Sequence, residues 1–384
     1  MQNKLFLINS LTSGGAEKVV SVLLDEINKE KNHITLLCIE NNNFYKLNSN
    51  TKVEYLTNSN GQDNTIIKFI NIFKIAYKLK QYIEKNNIKI VQSHLYRANF
   101  INILSKLFGS NHITQIVNHG IVSLYQTKGI LGKINLLFIK YLYPKADLII
   151  FISKVMKLDF EKLYKTDNKK IVINNPYNID DILNKSQENI TFDFKKNKKY
   201  ILSVGRLIGL KRNQDIIYAL QKLPNEYEII FLGNGEKKEE LINLSKKLGL
   251  NHRIHFEGNV NNPYAYMKNS YCLILSSQSE GFPNILIEAL ATCLPIISTD
   301  CISGPREILA PNTNINKQLK NDIEIAEYGI LYPIDNVKKL VEAIILLSKD
   351  KILRKKYTER SFKRATTFSV EKIIKKYKKV LEID

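Results

Sequence analysis

A chain of 384 residues, 44% of them hydrophobic and 24% charged, is too long for one ordinary core, and two domains of roughly 180 residues are the natural division. No uninterrupted apolar run reaches about 18 residues, which excludes a membrane-spanning helix. The start, Met1-Gln-Asn-Lys-Leu-Phe-Leu-Ile-Asn-Ser, turns polar too soon for a signal peptide and reads as a first buried strand. The formal net charge is +20; Lys, Asn and Ile are abundant throughout, so part of the excess reflects an AT-rich codon bias. Cys38, Cys272, Cys293 and Cys301 have no paired metal-ligand spacing; three lie in or beside apolar runs, where free cysteine behaves as a small hydrophobe, and a reducing cytosol is expected.

In chain order, apolar strand-like runs alternate with helical periods, the pattern of doubly wound parallel α/β sheets. Lys4 to Asn9 is the first strand. The turn Ser10-Leu-Thr-Ser-Gly14-Gly15-Ala16-Glu17 follows; its glycines free the backbone, and a helix from Ala16 to Lys29 would aim its N-terminus at any ligand beyond the strand. His33 to Ile39 is the next strand. The fingerprint G-x-G-x-x-G is absent and Glu40 is the only acid near the end of that strand, which argues against a dinucleotide-dependent dehydrogenase.

Residues 64–145 hold twelve basic residues against one acid, Glu84. Their lysines interleave with Ile, Phe, Leu and Tyr from Ile66 to Lys80. That suits a helix lying on the anionic inner leaflet of a membrane, and equally an amphipathic helix packed on its own sheet with a lysine-rich outer face. No arginine-rich or aromatic recognition motif accompanies the charge, so nucleic acid is not expected as a partner. Strands are predicted at Lys89 to Ser93, Ile113 to Asn118, Asp147 to Ile152 and Lys170 to Asn174, with His94 and His119 following two of them. The polar stretch from Asp180 to Lys198 reads as a linker.

Alternation restarts at Tyr200 and continues through Tyr227 to Leu232, Ile254 to Glu257, Cys272 to Ser276 and Pro295 to Ser298. The first of these strands runs into Gly205-Arg206-Leu-Ile-Gly209-Leu-Lys211, where the glycines permit close approach and the two cations suit a diphosphate. After Cys272 to Ser276 comes Ser277-Gln-Ser-Glu280-Gly281-Phe282-Pro283-Asn284, with Glu288 one turn into the helix that Pro283-Asn284 would open. Two acids and the free amides of a helix start suit a ligand that is a polyol at one end and an anion at the other, as a nucleotide-sugar is.

Glu280 and Glu288 resemble the E-x7-E signature of the retaining glycosyltransferases of the large bacterial family 4. Gly205-Arg206 with Lys211 resembles the family's G-R-x4-K phosphate clamp, and Gly14-Gly15-Ala16-Glu17 its first loop. Ser303-Gly304-Pro305-Arg306-Glu307-Ile is similar to a segment of members that build surface polysaccharides and lipid-linked oligosaccharides. The resemblance implies the GT-B fold: two Rossmann-like doubly wound domains facing across a cleft. Residues 1–180 would bind acceptor, 181–198 link, 199–365 bind the nucleotide-sugar, and 366–384 form a helix returning to the first domain.

The same resemblance implies catalytic roles for Glu280, which would orient the donor sugar, and for His119, beside its hydroxyls. Arg206, Lys211 and the segment Gly281, Phe282, Pro283 and Asn284 would bind the donor, Gly14 and Gly15 would approach the donor phosphate or the acceptor, and Glu288 would hold ribose hydroxyls. His94 would serve the acceptor side. With no D-x-D pair, neither metal nor cofactor is expected. The implied reaction moves a hexose or N-acetylhexosamine from a UDP-sugar to a lipid-linked saccharide at the cytoplasmic face of the membrane. A sugar-nucleotide epimerase of the same fold and a non-catalytic nucleotide-sugar-binding protein are the alternatives.

Overall fold

The computed structural model describes residues 3–12, 14–29, 34–42, 47, 50–59 and 65–382, with backbone alone for 65–68. The chain forms two units, residues 1–177 with 370–384, and residues 178–369.

The first unit is built on seven parallel strands: β1 (Asn3–Ile8), β2 (Thr35–Cys38), β3 (Val53–Tyr55), β4 (Ile88–His94), β5 (Ile113–Asn118), β6 (Leu148–Phe151) and β7 (Lys169–Val172), in the order 3-2-1-4-5-6-7. Leu5, Phe6, Leu7 and Ile8 are all buried, as both faces of a helix-covered parallel strand must be. The helix Gly15–Lys29 turns Val19, Val20, Leu23, Leu24 and Ile27 inward, the i, i+3/i+4 spacing of a helix packed by one face.

The second unit repeats the plan with β8 (Lys199–Val204), β9 (Tyr227–Leu232), β10 (Ile254–Gly258), β11 (Cys272–Leu275), β12 (Ile296–Thr299), β13 (Glu324–Ile325) and β14 (Ile330–Tyr332), in the order 10-9-8-11-12-14-13. Only β13 runs antiparallel, on the edge. Both sheets are doubly wound and Rossmann-like. Strand order reverses between β1 and β4 in one and between β8 and β11 in the other, and such reversals are where open α/β sheets bind ligands.

The change of unit falls at Tyr177 and Asn178, ahead of the predicted linker. The polar stretch instead begins with a helix, Ile179–Ser186, capped by the Asn178 side chain and sealed by buried Ile179 and Ile182. The predicted strand start His33 lies outside the described residues. The C-terminal helix Val370–Leu381 belongs to the first unit: it buries Val370, Ile373, Ile374, Tyr377 and Leu381, each worth about 1.5–3 kcal/mol. Gln115 donates to the Val380 carbonyl at 2.6 Å. Cys38, Cys272 and Cys301 are buried, and burial pushes the Cys38 and Cys272 thiols up to about 12.

Candidate active site

In the second unit the loops after β8 and β11 meet. Lys211 Nζ lies 2.6 Å from Glu280 Oε1, with side chains 22% and 10% exposed. Ser277 Oγ donates to the same oxygen at 2.5 Å. The backbones are tied as well: Ser276 Oγ donates to the Lys211 carbonyl at 2.7 Å and Gln278 N to the Leu210 carbonyl at 2.9 Å. A small cleft lined by Gly205, Arg206, Lys211, Asn213 and Ser276 opens beside the pair. Arg206 is exposed and has no ion-pair partner among the described residues. Gly233 lets β9 pass so close that a Cβ there would stand 2.0 Å from the Gly205 carbonyl oxygen. That contact holds the Gly205 turn in place.

The opposite side of the Glu280 loop is clamped by the segment after β12. Thr299 Oγ1 donates to the Ser277 carbonyl at 2.6 Å and Ser303 Oγ to the Gly281 carbonyl at 2.7 Å. Gly304, at φ 89°, is packed against Pro283: a Cβ there would lie 2.2 Å from the proline Cδ. Behind this, buried Arg306 binds Asp300 at 2.6 Å and Glu324 at 3.0 Å. Phe282 is buried edge-on against Phe368, ring centroids 5.5 Å apart. Pro283 stands just before the helix Asn284–Ala291, without a side-chain cap, and Glu288 is buried in the helix's second turn. Thus Arg206, Lys211, Glu280, Gly281, Phe282, Pro283 and Asn284 come together around one strand reversal.

In the first unit, His94 ends β4 and His119 follows β5. Their rings meet, His94 Nδ1 to His119 Nε2, at 3.0 Å. Burial drives His119 down to about 4 and His94 well below the ordinary range, the latter helped by His119, so both rings are neutral near pH 7. The buried His94 Nε2 has no hydrogen-bond partner among the described residues. An orphaned buried N–H is the costlier alternative, so the proton is assigned to His94 Nδ1. His119 then accepts at Nε2 and carries its own proton on Nδ1, where it is a donor. His94 is fully buried; it backs His119 and presents no surface to an acceptor.

Residues with no sequence signal hold this corner. Tyr96 donates to the Gly120 carbonyl at 3.0 Å, and Asp159 Oδ2 accepts from Val122 N at 2.8 Å and Ser123 N at 3.0 Å. The turn from β4 puts Leu95 at φ 73°, a backbone rarely taken by bulky residues except at constrained sites. Gly14 precedes and Gly15 starts the first helix, and the Glu17 carboxylate folds back so near Gly14 that a Cβ there would lie 2.1 Å from Oε2. Thr12 Oγ1 donates to Glu17 at 3.2 Å. This loop therefore offers backbone beside an acid rather than added positive charge.

Two family models divide the chain: "Glycosyltransferase Family 4" matches residues 13–181 and "Glycosyl transferases group 1" matches residues 185–364. The chain is 32% identical over 97% of its own length and 97% of the relative's to the N-acetylgalactosamine-N,N'-diacetylbacillosaminyl-diphospho-undecaprenol 4-alpha-N-acetylgalactosaminyltransferase of Campylobacter jejuni. It is 24% identical, over 98% and 97% of the two lengths, to that organism's GalNAc-alpha-(1->4)-GalNAc-alpha-(1->3)-diNAcBac-PP-undecaprenol alpha-1,4-N-acetyl-D-galactosaminyltransferase. Among solved structures, Anabaena HepE in complex with UDP matches with a TM-score of 0.76 at 16% identity, covering 99% of this chain and 100% of that one. WaaG, a glycosyltransferase of lipopolysaccharide biosynthesis, matches at 0.75 and 14%, covering 98% and 99%; both likenesses speak for the fold. Fold and sequence together define an enzyme of the glycosyltransferase class with the GT-B architecture. Within that class the chain belongs to the group 1, family 4 glycosyltransferases.

Proposed function

We propose that this enzyme transfers a hexose or N-acetylhexosamine from a UDP-sugar to a lipid-linked saccharide in bacterial polysaccharide, lipopolysaccharide or glycan assembly, retaining anomeric configuration and using no metal. The observation that carries the reading is the Lys211–Glu280 pair beside the Gly205-Arg206 turn. Lys211 and Arg206 meet the donor diphosphate, and their charge matters most as the bond between C1 and the phosphate oxygen breaks and negative charge grows on the leaving UDP. Glu280 accepts from hydroxyls of the transferred sugar, and Glu288 holds the ribose. The acceptor hydroxyl attacks C1 on the face the diphosphate leaves, and its proton passes to the departing phosphate oxygen. Same-face substitution needs no carboxylate nucleophile, and the bonds of Glu280 to Lys211 and Ser277 support an orienting role for it. Neutral His119 serves the sugar as a hydrogen-bond donor.

The relatives support the donor and acceptor classes, since the two Campylobacter enzymes are named for sugar transfer onto undecaprenol-linked saccharides and HepE was solved with UDP. An acceptor of that kind keeps the enzyme on the cytoplasmic face of the membrane, docked through the basic segment 64–145. The test is release of nucleoside diphosphate from UDP-, GDP- and ADP-sugars, with and without lipid extract of the source cell, by wild type and Glu280→Ala. Extract-dependent release from UDP-sugar alone, lost in the variant, is expected. Release without extract and equal in both proteins would sink the proposal.

A further inference from the structure

Three cations, Arg206, Lys211 and Arg212, follow β8 in one loop, and the structure divides their work. Arg206 is exposed and Lys211 pairs with Glu280. Arg212 is tied to Asp215 and Asp335, neither of which lines the cleft. Lys211 and Asn213, on either side of Arg212, do line it, and Arg212 does not. The Arg212 guanidinium forms a fork with Asp215 of the helix Asn213–Leu220, Nε to Oδ2 at 2.8 Å and Nη2 to Oδ1 at 3.1 Å. Nη2 also binds Asp335, in the turn after β14. Asp215 is 2% exposed, so the fork compensates a carboxylate that water does not reach.

The backbone of Arg212 stands at φ 49° and ψ 39°, a left-handed conformation that long side chains rarely adopt and that persists where the surroundings hold it. This residue ends the short turn Gly209–Lys211 and opens the next helix, so the chain reverses directly after Lys211. The Lys211 carbonyl accepts from Ser276 Oγ at 2.7 Å, and its N–H donates to the Ile208 carbonyl at 3.0 Å. With the backbone fixed on both sides, the lysine stem has one direction to leave in. We propose that Arg212 is a positioning residue: by holding the left-handed turn, its fork with Asp215 aims the Lys211 ammonium at Glu280 and, when donor binds, at the diphosphate. The inference rests on the diphosphate role given to Lys211 in the preceding section. A phosphate contact by Arg212 itself fits the geometry worse, since its charge is already compensated by two carboxylates and leaving them would strand buried Asp215.

The test is a double-mutant cycle on UDP binding, followed by titration calorimetry. Arg212→Gly removes the fork while leaving the left-handed turn allowed. Arg212→Gly with Asp215→Asn also removes the buried charge that the first change leaves behind. Both variants should bind UDP more weakly by up to about tenfold, the factor for one charged contact. In a Lys211→Gln background the same changes should weaken UDP binding no further, because the amine they misdirect is gone. Additive losses would overturn the proposal, making Arg212 a phosphate contact or a general support of the fold, and so would wild-type affinity in both variants. A ligand-free measurement separates the inference from the reaction. Lys211 is held by Glu280 at 2.6 Å, so an amine-reactive ester should acylate it slowly. Arg212→Gly should speed that acylation severalfold, read by peptide mass spectrometry against exposed Lys222. An unchanged rate would overturn the aiming role; a faster rate in a protein that binds no UDP would refute the donor assignment and leave the aiming of Lys211 standing.

Discussion

Replacing Glu280 by Gln keeps the size and an acceptor oxygen but removes the charge that faces Lys211 Nζ at 2.6 Å. A charge-assisted hydrogen bond this well shielded from water is worth about 1.5–3 kcal/mol. Loss of about 2 kcal/mol corresponds to a fall in Tm of about 4–8 °C for a unit of this size. The effect on ligand binding runs the other way. Lys211 loses its internal partner and is free for the diphosphate, so UDP affinity measured by titration calorimetry should hold or rise. On the proposed reaction, in which Glu280 orients the sugar, turnover should fall about a hundredfold. Lys211→Gln is the counterpart: it should weaken UDP binding by about tenfold or more, one charged contact being worth at least 1.4 kcal/mol. If Glu280→Gln weakens UDP binding as much as Lys211→Gln, the division of labour between the two residues is wrong.

Gly304→Ala should lower Tm by an amount equivalent to about 1–3 kcal/mol and raise KM for the donor, because at φ 89° the added Cβ meets Pro283 at 2.2 Å; an unchanged KM would show that the clamp after β12 does not hold the Glu280 loop. Asp159→Ala leaves the Val122 and Ser123 N–H groups without their acceptor, a loss of about 1–3 kcal/mol, and should lower kcat through His119. Asp159→Asn should restore part of it, and full activity in the alanine variant would remove Asp159 from the account. Burial holds His112 and His119 at about 4 in the folded chain, against about 6.5 unfolded. The unfolded chain therefore takes up protons that the folded one refuses. Stability should be full above about pH 6.5 and decline toward pH 4, by about 1.4 kcal/mol per group per pH unit. A Tm identical at pH 7 and pH 5 would contradict this.

Strands with mostly apolar runs, such as β1, β8 and β11, were legible because both their faces are buried. The three residues of β3 and the two of β13 carry too little pattern to stand out. The helix Ile179–Ser186 was hidden in a polar stretch because two isoleucines carry most of its burial. At the site, Lys211 and Glu280 could be named from spacing and resemblance, but the direct ion pair between them could not. Nor could Ser303, 22 residues from the carbonyl it binds, or Asp159, 36 and 37 residues from the amides it accepts; no local pattern records contacts across such distances.

The most direct test of the central claim is transfer of radiolabelled sugar from a UDP-N-acetylhexosamine or UDP-hexose into the organic-phase lipid of the source cell. Wild type should move label into that phase and Glu280→Ala should move about a hundredfold less. Label that stays in water as free sugar, or enters lipid equally with both proteins, would contradict the account.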